Sequence, residues 1–346
     1  MTAIGLCLQA GGALGAYEVG AVTRLLRAGL RPVVLTGVSI GAINAAVLAA
    51  ARNSDPAAAL KELWAHLVVE PLPIPTAARQ TLSAMTGIAN FYRPHANLFG
   101  AMQWTSWYDL APLGETLERL IDVERLNQPE RVRVALTATN VATGRLERFS
   151  NTEARLGIEH VMASAALPPY FPMVPVDEGV YWDGGLFDHM PLRALLDSLT
   201  VEERKDLPLY VLDRVTEGSA IPGNLHEVGD RMLEILFQNK SWDDFGGPEG
   251  LRGYARLIDA IDQALSSDSP VRRDPQYDKL VEYRCLKNLR IVNCPHRPLS
   301  GAVDYSADTV QARMEIGWAA ADAHLRRFPE TGAAVAASPR RPPHRS

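Results

Sequence analysis

Three short stretches of this 346-residue chain carry residue types that can do chemistry. The first is Ser39 in Gly37-Val38-Ser39-Ile40-Gly41, which closes the apolar run Pro32-Val33-Val34-Leu35-Thr36 and opens the helix-forming run from Ala42 to Ala50. A serine at a sharp strand-to-helix turn needs small neighbours, because the strained backbone leaves no room for larger ones, and its hydroxyl is pushed outward. The first amides and the macrodipole of the following helix favour negative charge beside it. The pattern predicts a nucleophile elbow. A serine hydroxyl is a weak nucleophile until a base takes its proton, so the chain must also supply that base.

The second stretch is Asp183-Gly184-Gly185, which follows the apolar Val180-Tyr181-Trp182. Two glycines after an acid permit a tight turn that holds a carboxylate at a strand end; the same residues also fit an ordinary Asp-Gly turn. A histidine is the alternative base. Of His66, His95, His160, His189, His226, His296, His324 and His344, His189 follows Asp183 most closely, while His66 and His324 fall in helical patterns and are expected at the surface. The third stretch is Gln9-Ala10-Gly11-Gly12-Ala13-Leu14-Gly15, whose consecutive small residues let backbone N–H groups converge on an anion. Acyl transfer needs such donors for its tetrahedral oxyanion. A phosphate or dinucleotide loop is the rival reading. It lacks the spaced Gly-x-Gly-x-x-Gly, the Walker lysine-serine pair and an acidic residue ending the second strand.

These groups need elements to hold them. Residues 3–9 read as a buried strand, followed by a helix from about Gly15 to Ala28 with Val19, Val22, Leu25 and Leu26 on its apolar face, stopped at Gly29. A second strand covers 32–36. A helix to about Arg52 comes next, and Asn53-Ser54-Asp55-Pro56 opens a third over 56–69. This alternation predicts an α/β core with parallel strands. Residues 70–112 break the rhythm with prolines and then Phe91, Tyr92, Phe99, Trp104, Trp107 and Tyr108, as either a lid or acyl-chain pocket or a satellite hydrophobic cluster. Further helices are expected over 113–121, 153–165, 191–199 and 306–327. Strands are expected over 131–138, 174–176, 180–182, 208–213 and 286–293, with 145–150 as hairpin partner to 131–138. Domain organisation follows: one α/β unit over 1–213, a mainly helical extension over 214–328 packed on it, and a Pro-, Ala- and Arg-rich tail over 329–346 expected to be disordered.

Composition limits the partners. Apolar residues make up 47% and charged residues 22%, as in globular proteins, and the net charge of −5 with no basic run argues against nucleic acid. Cys7, Cys285 and Cys294 show neither metal spacing nor a disulfide framework, which points to a reducing, cytoplasmic setting. The start lacks the basic region of a signal peptide, and the apolar run around 41–51 is too short to span a bilayer. A transient contact with a membrane surface stays open. No carboxylate-rich loop suggests calcium, and no cofactor or metal is expected.

In this order, Gly11-Gly12-Ala13-Leu14-Gly15-Ala16-Tyr17, Gly37-Val38-Ser39-Ile40-Gly41 and Asp183-Gly184-Gly185 resemble the patatin-like phospholipase family. So do Tyr108-Asp109-Leu110-Ala111-Pro112-Leu113 and the run from Ala163 to Pro172, and the likeness covers about residues 3–213. The region around Tyr305-Ser306 and the final helix is similar to the C-terminal extension of one bacterial subgroup. The resemblance implies a three-layer α/β/α sandwich with a mostly parallel sheet, and a Ser-Asp dyad with Ser39 as nucleophile and Asp183 as base. It also implies an oxyanion hole at the Gly11, Gly12 and Ala13 amides, with a fatty acyl lipid or other acyl ester as substrate. The chain departs from the family pattern at Ala10, where a glycine triplet would begin, and at His189, where an asparagine is usual. An acyltransferase using the same dyad and a non-catalytic acyl binder are the alternatives. Head group, chain length and oligomeric state are not legible in the sequence.

Overall fold

A computed structural model of the chain describes residues 1–69, 82–83, 85–95, 102–216, 221–223, 225–236, 245–296 and 301–329. The expectations placed on 70–81, 96–101 (with Phe99) and the tail beyond 329 (with His344) lie outside the described residues, as do the side chains of His226 and His296. Strand β1 (Thr2–Leu8) leads through a glycine-rich turn into α1 (Gly15–Arg27), and β2 (Leu30–Gly37) leads into α2 (Ile40–Ala50), followed by α3 (Pro56–Leu67). A short ribbon of β3 (Arg93–Pro94) and β4 (Tyr108–Asp109) precedes α4 (Ala111–Leu120) and α5 (Val123–Leu126). Next come the hairpin β5 (Arg133–Asn140) and β6 (Arg145–Ser150), then α6 (Ile158–Ala165), β7 (Val174–Val176), β8 (Gly179–Asp183), α7 (Leu192–Asp197), α8 (Glu203–Asp206) and β9 (Leu209–Thr216). The remainder supplies α9 (Leu225–Leu236), α10 (Pro248–Ala264), α11 (Pro275–Glu282), β10 (Leu289–His296) and α12 (Ala307–Arg327).

Five strands run parallel in the order β10-β9-β1-β2-β5. Side chains alternate between two cores. On β1, Leu6 and Leu8 enter one and Cys7 the other; on β9, Tyr210 and Leu212 enter one and Leu209 and Val211 the other. Residues of α1, α2, α3 and α6 cover the first face, and those of α7 and α10 the second. Strands apolar on both faces need helices on both sides, so the sequence folds as the expected three-layer α/β/α sandwich with a mostly parallel sheet.

The edge of β5 explains how two distant residues can meet. β6 occupies one edge of β5 over residues 135–140. The opposite edge is shared: β2 pairs with it from Arg133 to Leu136, and β8, antiparallel, pairs with it from Ala138 to Asn140. Two strands therefore abut end to end with their C-terminal ends facing. Gly37 closes one opposite Leu136, and Asp183 closes the other opposite Ala138.

All eleven residues of α2 are buried. Asn44 is its one polar side chain, and it accepts a hydrogen bond from Trp64 Nε1 at 2.9 Å. A helix that is apolar on every side belongs in the interior, which fixes the end that follows Ser39. The C-terminal extension is built into the same sandwich. β10 adds an edge strand beside β9, so the division expected after residue 213 falls inside β9, and α12 lies along α1. A Cβ on Gly20 would come within 1.9 Å of the Met314 carbonyl oxygen, and one on Gly317 within 1.9 Å of that of Tyr17. These two glycines let the helix backbones touch.

Helix α6 is shorter than the spacing suggests. Buried Asn151 donates to the carbonyls of Leu126 and Val132 at 2.8 and 2.9 Å and accepts from the Val134 amide at 2.9 Å, holding the preceding segment as a turn. His324 is a second difference: it is half-buried, edge-on to the Tyr210 ring at 5.8 Å, because α12 turns that face inward.

Candidate active site

Ser39 occupies the turn between β2 and α2 with φ 58° and ψ −129°, a left-handed conformation for a residue with a side chain. Such backbone costs on the order of 1–3 kcal/mol and persists only where its surroundings enforce it. Two features do so. The Ser39 amide donates to the Ser164 carbonyl at 3.1 Å and to Ser164 Oγ at 3.2 Å. The flanking glycines are also pressed against backbone: a Cβ on Gly37 would lie 2.4 Å from the Gly41 oxygen, and one on Gly41 2.5 Å from that of Leu8. The turn from β2 into α2 is therefore sharp and held in place from two sides, with Ser39 only 7% exposed.

From this turn Ser39 Oγ donates to Asp183 Oδ2 at 2.6 Å. Asp183 is fully buried, and its other oxygen accepts the Gly185 amide at 2.7 Å. Its own amide donates to the Ala166 carbonyl at 3.0 Å and its carbonyl accepts Thr139 Oγ1 at 2.9 Å, so the residue is held at both ends. Burial pushes the carboxyl up to about 7, against the smaller pull of the hydrogen bonds from Ser39 and Gly185. Among the described residues no histidine hydrogen-bonds to Ser39. His189 instead uses its carbonyl, which accepts the Ala10 amide at 3.0 Å, while its Nδ1 lies 3.5 Å from where a Cβ on Gly185 would sit.

The glycine-rich turn lies beside both residues, with Gln9 and Leu8 against Gly41 and Ala10 against Gly185. Its amides are not equivalent. The Ala10 amide is held by His189, and the Ala13 amide donates to the Ala302 carbonyl at 2.8 Å. Gly11 and Gly12, between them, make no amide hydrogen bond among the described residues. Of the three amides singled out from sequence, two make no hydrogen bond among the described residues, and the third is engaged by Ala302. Ser164 is a residue the sequence reading gave no role. Its Oγ donates to the Thr137 carbonyl at 2.7 Å and accepts the Ser39 amide, tying the elbow to β5. The one signal was a hydroxyl in an otherwise alanine-rich helix end.

The aromatic residues of the expected lid region separate into two groups. Phe91 is buried, with ring centroids 5.2 Å from Tyr92, 5.7 Å from Phe171 and 5.3 Å from Tyr305. Trp104 lies tilted against the His95 ring at 5.0 Å, and Trp107 is 58% exposed. No described helix is long and apolar enough to cross a membrane.

A family model described as patatin-like phospholipase matches residues 6–196, a span containing Ser39, Asp183 and the Gly11-Gly12 turn. Among solved structures, the crystal structure of VipD from Legionella pneumophila is similar at 16% sequence identity with a TM-score of 0.40, covering 94% of this chain and 67% of that one. No curated protein matches the chain.

Proposed function

This chain belongs to the patatin-like phospholipase family, and we propose that it is a serine lipid acyl hydrolase in which Ser39 and Asp183 form the working pair. The observation that carries the reading is the 2.6 Å hydrogen bond from Ser39 Oγ to a buried carboxylate. As Oγ attacks the acyl carbonyl carbon, its proton passes to Asp183 Oδ2 and the carbonyl electrons move onto oxygen. The Gly11 and Gly12 amides and the N-terminus of α2 would stabilise that oxyanion. The intermediate collapses, the bond to the alcohol oxygen breaks, and Asp183 returns the proton to it. Water then repeats the sequence on the acyl-Ser39 ester, releasing the acid. A carboxylate lifted to about 7 is a far better base than an exposed one and is still about half ionised at neutral pH, so no histidine is needed.

The test is a panel of phospholipid, lysophospholipid and simple fatty acyl esters, with free acid release measured for wild type and Ser39→Ala. Release that depends on Ser39 supports the reading. Acyl transfer to an added alcohol in preference to water would make the protein an acyltransferase, and turnover surviving in Ser39→Ala would remove the reading.

Asp183 also fixes a pH dependence. It must be ionised to accept the proton, so kcat/KM for a neutral ester is expected to rise about tenfold per pH unit below about 7 and to level off above it. A profile flat between pH 5 and 9 would contradict Asp183 as base.

The buried cluster around Phe91 is the proposed wall for the acyl chain. Truncating a core phenylalanine to alanine costs about 3–5 kcal/mol, so Phe91→Leu is the cleaner variant. It is expected to lower activity on long-chain esters about tenfold more than on butyrate esters, a difference of about 1.4 kcal/mol. Exposed Trp107→Ala should leave butyrate hydrolysis intact. Equal losses on long and short chains in Phe91→Leu would refute the acyl-wall assignment.

A further inference from the structure

The oxyanion turn touches a part of the molecule that lies outside residues 6–196. The loop before α12 delivers the Ala302 carbonyl to the Ala13 amide and, three residues later, Tyr305. The Tyr305 backbone is pinned by its carbonyl, which accepts the Val69 amide at 2.8 Å. Its ring stacks on Trp64 at 6.3 Å and meets Phe91 edge-on at 5.3 Å. The loop is gripped from behind by Arg313 of α12, a fully buried cation that donates to the Asp304 and Gly301 carbonyls at 3.1 and 3.0 Å.

Tyr305 is only 8% exposed, yet its hydroxyl makes no hydrogen bond with any described residue. Its hydroxyl oxygen is not shut away with the ring: it reaches solvent, so it can donate to a group entering from there. The hydroxyl lies 3.4 Å from where a Cβ on Gly12 would stand, which puts it beside the glycine-rich turn. Gly12 has φ 53°, and a Cβ there would come within 2.5 Å of the Ala302 carbonyl oxygen, so only glycine fits between the turn and this loop. The proton is secure there, since burial raises the phenol well above its ordinary range and the nearby Asp183 charge raises it further.

We infer that the Tyr305 hydroxyl is a catalytic hydrogen-bond donor to the acyl carbonyl oxygen, completing with the Gly11 and Gly12 amides an oxyanion hole from which the Ala13 amide is withdrawn by Ala302. The inference rests on the Ser39 reading above. It makes the C-terminal extension part of the chemistry: α12 and Arg313 hold the loop that carries the donor. A neutral hydroxyl aimed at the position where charge develops stabilises the transition state more than the bound ester.

The test is Tyr305→Phe, which keeps the ring and breaks no bond within the chain. Two rates are read: second-order inactivation by a short-chain alkyl fluorophosphonate, whose phosphoryl oxygen occupies the same hole, and hydrolysis of p-nitrophenyl butyrate. Both are expected to fall about 100-fold, at the lower end for loss of one oxyanion donor, the butyrate rate through kcat with little change in KM. The melting temperature should be unchanged, because no intramolecular partner is lost. Rates within threefold of wild type would overturn the assignment while leaving Ser39 as nucleophile untouched. So would a lowered melting temperature without a selective fall in kcat, since a packing role would produce that result. Wild-type protein that takes up no phosphonate would remove the Ser39 reading and Tyr305 with it.

Discussion

Asp183→Asn is expected to lose ester hydrolysis about 10⁴-fold and at the same time to raise thermal stability at pH 8. The loss follows from chemistry. An amide can hold the Ser39 hydroxyl but cannot take its proton, and an aspartate-to-asparagine change in a serine hydrolase triad costs a similar factor even when a histidine base remains. The gain in stability follows from burial. The folded-state pKa of Asp183 is about 7 against an ordinary value of 3.8, so between those pH values the folded protein holds a proton that the unfolded chain has released. Unfolding stability therefore falls as pH rises from about 4 to about 7 and stays low above it. A separation of that size corresponds to about 4 kcal/mol at most. Replacing the carboxylate by a neutral amide removes this cost. The stability advantage of Asp183→Asn over wild type should be small at pH 4, grow to pH 7 and then level off. Thermal unfolding of both proteins at pH 5 and pH 8 measures it. A variant less stable than wild type at pH 8 would contradict the account of the buried carboxylate.

Ser39→Ala is the second large effect, with activity falling to background, on the order of 10⁵-fold or more, as when a nucleophile is removed from a serine hydrolase. Its stability effect has the opposite sign. Asp183 loses the hydrogen bond from Oγ that partly offsets its burial, leaving a buried carboxylate with the Gly185 amide as its remaining donor. Removing one partner of a buried charged group costs about 1–3 kcal/mol. The penalty should fade below pH 5, where the carboxyl is protonated in the folded protein. Opposite stability changes in two variants that both abolish turnover separate loss of chemistry from loss of fold.

The two glycines around Ser39 and the pair after Asp183 were readable because sharp turns of this kind call for small residues in the sequence itself. Gly37 and Gly41 face backbone oxygens, and Gly184 lies against the Thr137 carbonyl, where a Cβ would come within 2.4 Å. The α/β/α layering was readable for a similar reason, since strands and α2 are apolar on every side that packs. What joins Ser39 to Asp183 is not local. It depends on β2 and β8 sharing one edge of β5, a pairing that no periodicity in either strand announces. The engagement of Ala13 by Ala302 and the approach of Tyr305 depend on α12 lying against α1 through Gly20 and Gly317, contacts separated by nearly the whole chain. Ser164 likewise reads as helix filler until the turn it supports is in place. Trp107, grouped by composition with Phe91, is exposed where Phe91 is buried.

The central claim is that Ser39 is an activated nucleophile whose proton goes to Asp183. Incubation with a fluorophosphonate, followed by intact mass measurement and peptide mapping, tests it without knowledge of the natural ester. One phosphonyl adduct on Ser39 is expected in wild type, with none in Ser39→Ala and labelling slowed by orders of magnitude in Asp183→Asn. An adduct that persists in Ser39→Ala, or wild-type labelling on another residue, would contradict the claim.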